Sequence, residues 1–250
     1  MAGHSKWANI KHRKGAQDAK RGKVFTKLIK EISVAVKEGG EDVDSNPRLR
    51  TAIQNAKGAN MPRENIDRAI KKASGNDANT YMEVTYEGYA PNGIAVFIEC
   101  TTDNINRTVA DIRAIFNKSG GELGKNGSLE FLFRRKGVFT IEKDTINMDL
   151  EALEMELIDF GLEEFDHQDE ICTILCDFDQ FGTMQEKLGN LSVEVKSAES
   201  HRIPNDTKNL SIHNALKILN TIEKFEENDD VQKVFHTLNI TDELISELTN

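Results

Sequence analysis

The spacing of apolar side chains predicts a helical beginning to this 250-residue chain. From about residue 15 to residue 38, apolar residues recur three and four positions apart, which is typical of a helix with one buried face. A second helix is predicted to start near Asn46, with Pro47 in its first turn, and a third near Pro62, ending at Gly75. The first 75 residues therefore predict a bundle of three helices.

After about residue 80 the pattern changes to short β-rich runs that alternate with helical periods. Strands predicted at 81–89 and 94–101 flank the sequence Ala-Pro-Asn-Gly, which is typical of a hairpin turn. A helix is predicted after Asp103 or Asn104, then a strand at 129–133 and a boundary at Gly137. The polar stretch that leads into this helix predicts an N-cap, with a phosphate site on its backbone amides as the alternative.

Residues 138–198 predict the order β-α-β-β-α-β of a ferredoxin-like unit. The α/β segment before it lacks a final helix and strand, and the chain supplies both at 212–225 and 231–238. We therefore expect the third domain to be inserted into the second, with two α/β domains in series as the alternative. The predicted fold class is α+β, with an N-terminal three-helix bundle followed by two ferredoxin-like α/β domains. The predicted domains are 1–78, 79–136 plus 206–250, and an inserted 137–205.

Charge is distributed unevenly along this fold. The chain has a formal net charge of -10, yet residues 1–75 hold 17 Lys or Arg against 8 Asp or Glu, a net charge of +9. Such asymmetry is typical of a polyanion-binding module joined to a different part. The tract 144–179 instead holds 13 acidic and no basic residues. It is expected to be a solvated surface, and as alternatives it would repel nucleic acid or contact a basic protein.

Residues 3–30 concentrate the positive charge, with nine Lys or Arg against the single acid Asp18. The helical period places a stripe of lysines opposite the apolar face, and an N-terminal arm extends it. Such an array predicts phosphate contacts with salt-dependent affinity and little sequence reading. Trp7 and His12 add rings suited to stacking on unpaired bases, although Trp7 packing back on the bundle is an equal alternative. The predicted nucleic-acid-binding residues are Lys6, Trp7, Lys11, His12, Arg13, Lys14, Lys20, Arg21, Lys23, Lys27 and Lys30.

Changing Lys23 and Lys27 to Glu is expected to weaken binding and leave the fold intact.

Several classes of function find no support in the sequence. No apolar run approaches the ~20 residues of a membrane span, and no secretory signal follows the N-terminus, so we expect a cytoplasmic protein without membrane contact. The three cysteines, Cys100, Cys172 and Cys176, are too few for a disulfide framework and are expected to be buried thiols. No nucleotide-binding loop, hydrolase motif or metal-ligand spacing is present, so we predict no catalytic residue, no metal and no cofactor.

Longer stretches of the chain resemble one known family. The opening MAGHSKWANIKHRKGAQDAKRGKVFTKLIKEI is similar to the YebC/PmpR family, which includes a mitochondrial translational activator of cytochrome c oxidase. The resemblance continues through NPRLRTAIQNAKGANMPRENIDRAIKKASG, YEGYAPNGIAVFIECTTDNINRT, GGELGKNGSLEFLFRRKG and NDDVQKVFH, and so covers essentially the full chain. It departs at Phe131, where Trp or a similar residue is expected, and at Arg134, where Glu is expected.

The resemblance implies three domains, no enzymatic activity and one of two nucleic-acid targets. Bacterial members are described as DNA-binding transcriptional regulators, which implies promoter DNA as the partner. Other members act on ribosomes during translation, which implies ribosomal RNA. The sequence offers no helix with Arg, Asn or Gln poised to read a major groove, and this favours the ribosomal alternative mechanistically. The description of the bacterial members favours the DNA-binding transcriptional regulator, which is the function we predict, with the ribosome-associated factor as the alternative. A protein partner or a homodimer is expected through the acidic α/β domains.

Overall fold

The structure, a computed structural model, describes residues 18–75, 80–167 and 170–249. Within these ranges the fold is mixed α+β, with eight α-helices and two four-stranded antiparallel sheets, and this confirms the predicted fold class. The elements in chain order are α1 (Asp18–Gly39), α2 (Pro47–Gly58), α3 (Arg63–Ser74), β1 (Met82–Ala90), β2 (Ile94–Thr102), α4 (Ile105–Lys118), β3 (Glu122–Leu123), β4 (Phe133–Glu142), α5 (Leu150–Ile158), β5 (Leu162–Asp166), β6 (Ile171–Asp177), α6 (Phe181–Asn190), β7 (Val195–Pro204), α7 (Ile212–Glu226), β8 (Val231–His236) and α8 (Asp242–Thr249).

The described residues form two compact units. The first unit contains α1 as far as Val34, residues 75–134 and the chain from Pro204 onward. The second contains residues 35–74 and 135–203. The division into three domains proposed from the sequence stays a prediction.

The start of α2 follows from its cap. The side-chain oxygen of Asn46 accepts a hydrogen bond from the Leu49 amide at 2.9 Å, and Pro47 occupies the first turn. The amide nitrogen of the same side chain donates to the carbonyls of Ala35 and Gly40, both at 2.8 Å. One asparagine therefore both starts α2 and bonds to the end of α1, which satisfies backbone groups that helix termini leave without partners.

The first unit is built on the sheet with strand order β3-β1-β2-β8. The β1–β2 hairpin turns through Pro91–Gly93, where Asn92 has a positive φ of 64°. Strand β2 is buried over nearly its whole length, as expected for a central strand covered on both faces. Helices α4 and α7 pack on it, and the rings of Phe116 and Phe225 meet with centroids 4.7 Å apart.

The second unit contains the sheet with strand order β5-β6-β4-β7. The chain runs through it as β4-α5-β5-β6-α6-β7, so the first and third strands lie in the centre, as in a ferredoxin-like unit. Its core packs Phe139 and Ile174 of the sheet against Leu153 and Met184 of the helices. Cys172 and Cys176 are free and buried in this core, and Cys100 is buried in the first unit, as expected from the sequence.

One local prediction is wrong. The strand expected at 129–133 is a short 3-10 helix, Glu130–Leu132, and the next strand, expected from residue 138, already begins at Phe133. Gly137 lies within that strand, β4, and the domain boundary placed there from the sequence stays a prediction. A Cβ on Gly137 would lie 2.8 Å from both the Cys176 sulfur and the Phe181 ring, so the glycine is needed for close packing across the sheet.

Candidate nucleic-acid interface

The predicted nucleic-acid-binding residues divide between parts of the chain that are described and not described. Six of them lie outside the described residues, namely Lys6, Trp7, Lys11, His12, Arg13 and Lys14. Lys20, Arg21, Lys23, Lys27 and Lys30 belong to α1. Arg21 is exposed, with its guanidinium 5.5 Å from the centroid of the Phe25 ring. The role of these residues in binding nucleic acid stays a prediction.

Two lysines of the α1 stripe contact the C-terminal end of α7. Lys23 donates from Nζ to the Glu227 carbonyl at 2.9 Å, and Lys27 donates to the Glu226 carbonyl at 3.0 Å. The last carbonyls of a helix lack intrahelical donors and carry its partial negative charge, so an ammonium group there is stabilising. To reach a phosphate, either amine would have to leave its carbonyl.

The expectation that Lys23 and Lys27 can become Glu without harm to the fold is therefore revised. Two carboxylates in these positions would face carbonyl oxygens at the negative end of α7, where like charge is unfavourable. Weaker polyanion binding by that variant would not distinguish the removal of phosphate-binding cations from a disturbed α1. A clean test of the interface needs cations that do not bond to other parts of the fold.

Lys30, which the sequence places in the lysine stripe of α1, is buried and does not face solvent. Its side chain is only 8% exposed, and Nζ donates to Asp230 Oδ1 at 2.8 Å, to the Asp229 carbonyl at 2.8 Å and to the Thr101 carbonyl at 3.1 Å. Burying a charge is costly unless it is paired and hydrogen-bonded, and here it is both. Lys30 is thus a bond between α1 and the sheet of the first unit, because its amine is fully engaged inside the fold.

Asp230 stands at the centre of this buried cluster. Its Oδ2 accepts hydrogen bonds from Arg107 at 2.7 Å, from the Thr108 hydroxyl at 2.8 Å and from the Thr102 hydroxyl at 3.1 Å. Burial alone would raise the pKa of Asp230, but the hydrogen bonds from Lys30, Arg107 and Thr108 outweigh it and lower the pKa from 3.8 to about 2. The carboxylate is therefore held in its charged form.

The start of α4 belongs to the same cluster. Asn104 caps the helix, with its side-chain oxygen accepting from the Arg107 amide at 3.1 Å, which confirms the N-cap prediction. The Arg107 guanidinium also pairs with Asp103 at 2.8 Å, and its two acidic partners raise its pKa further. The polar stretch at the start of α4 is thus occupied by internal bonds.

A second basic surface, on α3, was missed by the sequence reasoning. Arg68, Lys71 and Lys72 are exposed at spacings of three and four, on the side of the helix away from the buried Ile66 and Ala69. Among the described residues none of the three cations forms an ion pair. The helical period that identified the buried face of α3 would also have revealed this cationic face.

In the first turn of α3, unlike its C-terminal half, acidic residues balance the basic ones. Arg63 lies 3.7 Å from Asp67, and Glu64 is exposed one turn before Arg68. Positive charge is therefore concentrated in the C-terminal half of the helix. Lysines in a last helical turn also complement the helix dipole, so Lys71 and Lys72 stabilise α3 slightly as well.

Comparison with known proteins places the chain in a family. Residues 5–76 match the model of the TACO1/YebC protein N-terminal domain, and residues 81–238 match that of the TACO1/YebC second and third domain. The chain belongs to the TACO1/YebC family. Its relatives match it over nearly their whole length.

Two TACO1/YebC relatives illustrate the similarity. A protein of Amoebophilus asiaticus is 54% identical over 95% of this chain and 98% of its own length. Protein YrbC of Bacillus subtilis is 47% identical over 94% of this chain and 98% of its own. Both bear the name probable transcriptional regulatory protein.

A solved TACO1/YebC-like structure has the same fold. The crystal structure of a conserved hypothetical protein from Aquifex aeolicus is 40% identical, covers 91% of this chain and 94% of its own, and superimposes with a TM-score of 0.81.

In the parts of the present chain that the structure describes, no helix is both long and apolar enough to cross a membrane. The same residues hold no group of three or more His, Cys, Asp or Glu placed to bind a metal ion.

Proposed function

We propose that this TACO1/YebC chain is a non-enzymatic, cytoplasmic regulator of transcription that binds DNA through its N-terminal 78 residues. The observation that carries the proposal is the partition of charge, with a net charge of +9 on residues 1–75 of an otherwise acidic chain. The names of its relatives as probable transcriptional regulatory proteins support the same function. The proposed contacts are the basic arm, the exposed cations of α1 and the α3 surface of Arg68, Lys71 and Lys72.

The α3 cations suit this role because they have no ion pair to give up. A cation without an ion pair in the unbound protein breaks no ion pair when it binds a phosphate, whereas Lys30 would have to leave Asp230. Neutralising phosphates releases condensed counterions from the nucleic acid, and this drives binding at low salt. We therefore assign to α3 a larger share of phosphate binding than to Lys27 or Lys30.

The α3 cations suit contacts with a phosphate backbone and offer little recognition of individual bases. Asn65, the one amide side chain of α3, is half-buried, and Lys and Arg on the exposed side supply charge more than base readout. Because such an interface suits RNA phosphates equally, a ribosome-associated translation factor that binds ribosomal RNA is the second candidate. Trp7 and His12 on the arm favour it, since rings stack well on unpaired nucleotides.

Neutralising the α3 surface is expected to weaken binding and reduce its salt dependence. In the variant Arg68→Ala, Lys71→Ala, Lys72→Ala, the slope of log K against log salt should fall by roughly 0.9 for each phosphate of duplex DNA that is no longer neutralised. Fluorescence anisotropy with a promoter duplex and a random duplex over a salt series measures both quantities. A parallel variant with Lys11, Arg13 and Lys14 changed to Ala measures the share of the arm.

The matched control removes the same charge elsewhere. Arg113, Lys118 and Lys125 are exposed in the first unit, and changing all three to Ala should leave the slope unaltered. An equal decrease in the α3 variant and this control would show that only net charge matters and would contradict the proposed interface. Promoter and random duplexes binding equally, with ribosomal RNA bound more tightly, would replace the transcriptional proposal by the ribosomal one.

A further inference from the structure

Helix α5 has apolar residues on both of its faces. Leu153 and Leu157 point into the core of the second unit and are fully buried. Met155 and Ile158, three positions apart and so on one side of the helix, are 70% and 54% exposed. A helix on the surface of a protein ordinarily has one apolar stripe and a polar opposite face. The outward pair therefore contributes nothing to the core and needs another explanation.

Acidic side chains surround this exposed pair. Glu151 and Asp159 lie four positions before and after Met155, and Glu154 lies four positions before Ile158, so all three are neighbours on the helix surface. None of these three carboxylates forms an ion pair with a described residue. Glu156 differs, because Lys187 holds it at 2.6 Å. The negative charge around Met155 and Ile158 is thus left for an external cation.

We propose that the α5 patch, formed by Glu151, Glu154, Met155, Ile158 and Asp159, docks a basic segment of a partner protein that carries two apolar anchors one helical turn apart. The anchors cover Met155 and Ile158, and flanking Lys or Arg side chains pair with the acids. Methionine suits such a surface because its flexible thioether adapts to differently shaped apolar groups. The inference concerns a surface separate from the proposed nucleic-acid interface and does not depend on it.

The charge of the patch argues against other occupants. Phosphates would be repelled by the three unpaired carboxylates, so the patch does not extend the nucleic-acid interface. A second copy of the chain, packing its own α5 patch symmetrically against this one, would bring the same acids together. A basic partner is the occupant that compensates the charge and covers the apolar pair at once.

The test uses the full-length protein and two labelled synthetic helical peptides of equal charge. One carries two Leu four positions apart on a background of Lys and Ala, and in the other both Leu are Ala. At about 0.15 M salt, where exposed charges are screened beyond about 8 Å, we expect the Leu peptide to bind about tenfold more tightly by fluorescence anisotropy. Burial of the two Leu against Met155 and Ile158 supplies that preference.

Substitutions in the patch separate its apolar and acidic parts. The double variant Met155→Ser, Ile158→Ser should abolish the preference for the Leu peptide. The double variant Glu151→Gln, Asp159→Asn should weaken the binding of both peptides and reduce the salt dependence of their affinity. Phe131→Ser is the matched control, since Phe131 is 72% exposed but lies in the first unit, and it should keep the preference. Thermal unfolding of each variant should match the wild type, because the changed side chains are exposed.

Three results would overturn the proposal. Equal affinity of the wild type for the two peptides would show that the patch does not recognise apolar anchors. A preference that survives Met155→Ser with Ile158→Ser would place it elsewhere. Self-association of the wild type that this double variant abolishes, measured by sedimentation velocity, would make a second copy the occupant. The double variant should bind DNA as the wild type does, so failure here is distinguishable from failure of the proposed function.

Discussion

Replacing Asp230 by Asn is expected to lower the free energy of unfolding by about 3–5 kcal/mol, the cost of removing one partner from a buried ion pair. Asparagine keeps the shape of the side chain but leaves the Lys30 ammonium, 8% exposed, without its counter-charge. It also replaces a charged acceptor of bonds from Arg107 and Thr108 by a neutral one. Urea unfolding followed by circular dichroism measures the change.

The neighbouring residue provides the control for this prediction. Asp229 is exposed and contributes only its backbone carbonyl to Lys30, so Asp229→Asn should stay within about 0.5 kcal/mol of the wild type. Adding Lys30→Met to Asp230→Asn should cost less than the sum of the two single changes, because the buried charge is then removed with its partner. Additive costs would mean that the two side chains do not act as a pair.

The same carboxylate gives a pH dependence with a definite sign. The pKa of Asp230 is lowered from 3.8 to about 2 in the folded state, so its contribution is complete above pH 3.8 and is lost as the pH falls toward 2. The wild type should therefore lose more stability than Asp230→Asn between about pH 5 and about pH 2.5. Urea titrations of both proteins at the two pH values test this, and parallel decreases would contradict it.

Replacing Gly58 by Ala is expected to destabilise the second unit by about 3 kcal/mol, at the upper end of the cost of overpacking. A Cβ on Gly58, the last residue of α2, would lie 1.8 Å from the Lys196 carbonyl oxygen of β7 and 2.7 Å from its carbon. Backbone atoms of a strand cannot move aside as a side-chain end can. Helix α2 would have to withdraw from β7 and break the bonds between them.

Those bonds add to the expected effect. The Asn55 side chain of α2 accepts a hydrogen bond from the Ala198 amide at 2.8 Å and donates one to the Ala198 carbonyl at 2.9 Å. It therefore bonds both backbone groups of Ala198 as a neighbouring strand would. Gln54 donates to the Val195 carbonyl at 3.1 Å. Withdrawal of α2 leaves these backbone groups without partners, and each buried group that loses its bond costs about 1–3 kcal/mol.

A second helical glycine offers a control of opposite sign. Gly189 lies next to the end of α6 and has no atom within 4 Å of where a Cβ would be. Gly189→Ala should therefore stabilise the protein by up to about 1 kcal/mol, because alanine loses less backbone entropy in a helix. Thermal unfolding of the two variants should move in opposite directions, and a stable Gly58→Ala protein would show that α2 can shift from β7 without cost.

The internal bonds of α1 and α2 bear on the proposed regulator. In the first unit Lys23, Lys27 and Lys30 hold α1 to α7 and to Asp230. In the second unit Asn55 and Gly58 hold α2 against β7. Among the described basic residues of this part of the chain, Lys23, Lys27 and Lys30 are bonded within the fold, whereas Arg68, Lys71 and Lys72 of α3 form no ion pair. Within the helices, mutagenesis of nucleic-acid binding should therefore use the α3 residues.

Local pattern was sufficient to predict most elements, because the forces that select them act between near neighbours. The three-and-four spacing of apolar residues predicted α1, α2, α3, α4 and α7. Asn46 and Asn104 act as caps through bonds to amides three residues ahead. Local pattern did not show that β4 runs through Gly137, where the reason for the glycine is the Cys176 side chain on a neighbouring strand.

Only the tertiary structure decided which charged residues are buried and with which partners they pair. A helical wheel gives the direction of Lys30 relative to its own helix, but its partner Asp230 is 200 positions away in the chain. The wheel likewise cannot tell that Met155 and Ile158 face away from the core while Leu153 and Leu157 enter it. The sequence alone determined most of the helices and strands and the basic N-terminal part of this protein. Which cations are buried and which stay available depended on long-range packing, because burial and ion pairing are set by residues that the chain brings together only on folding.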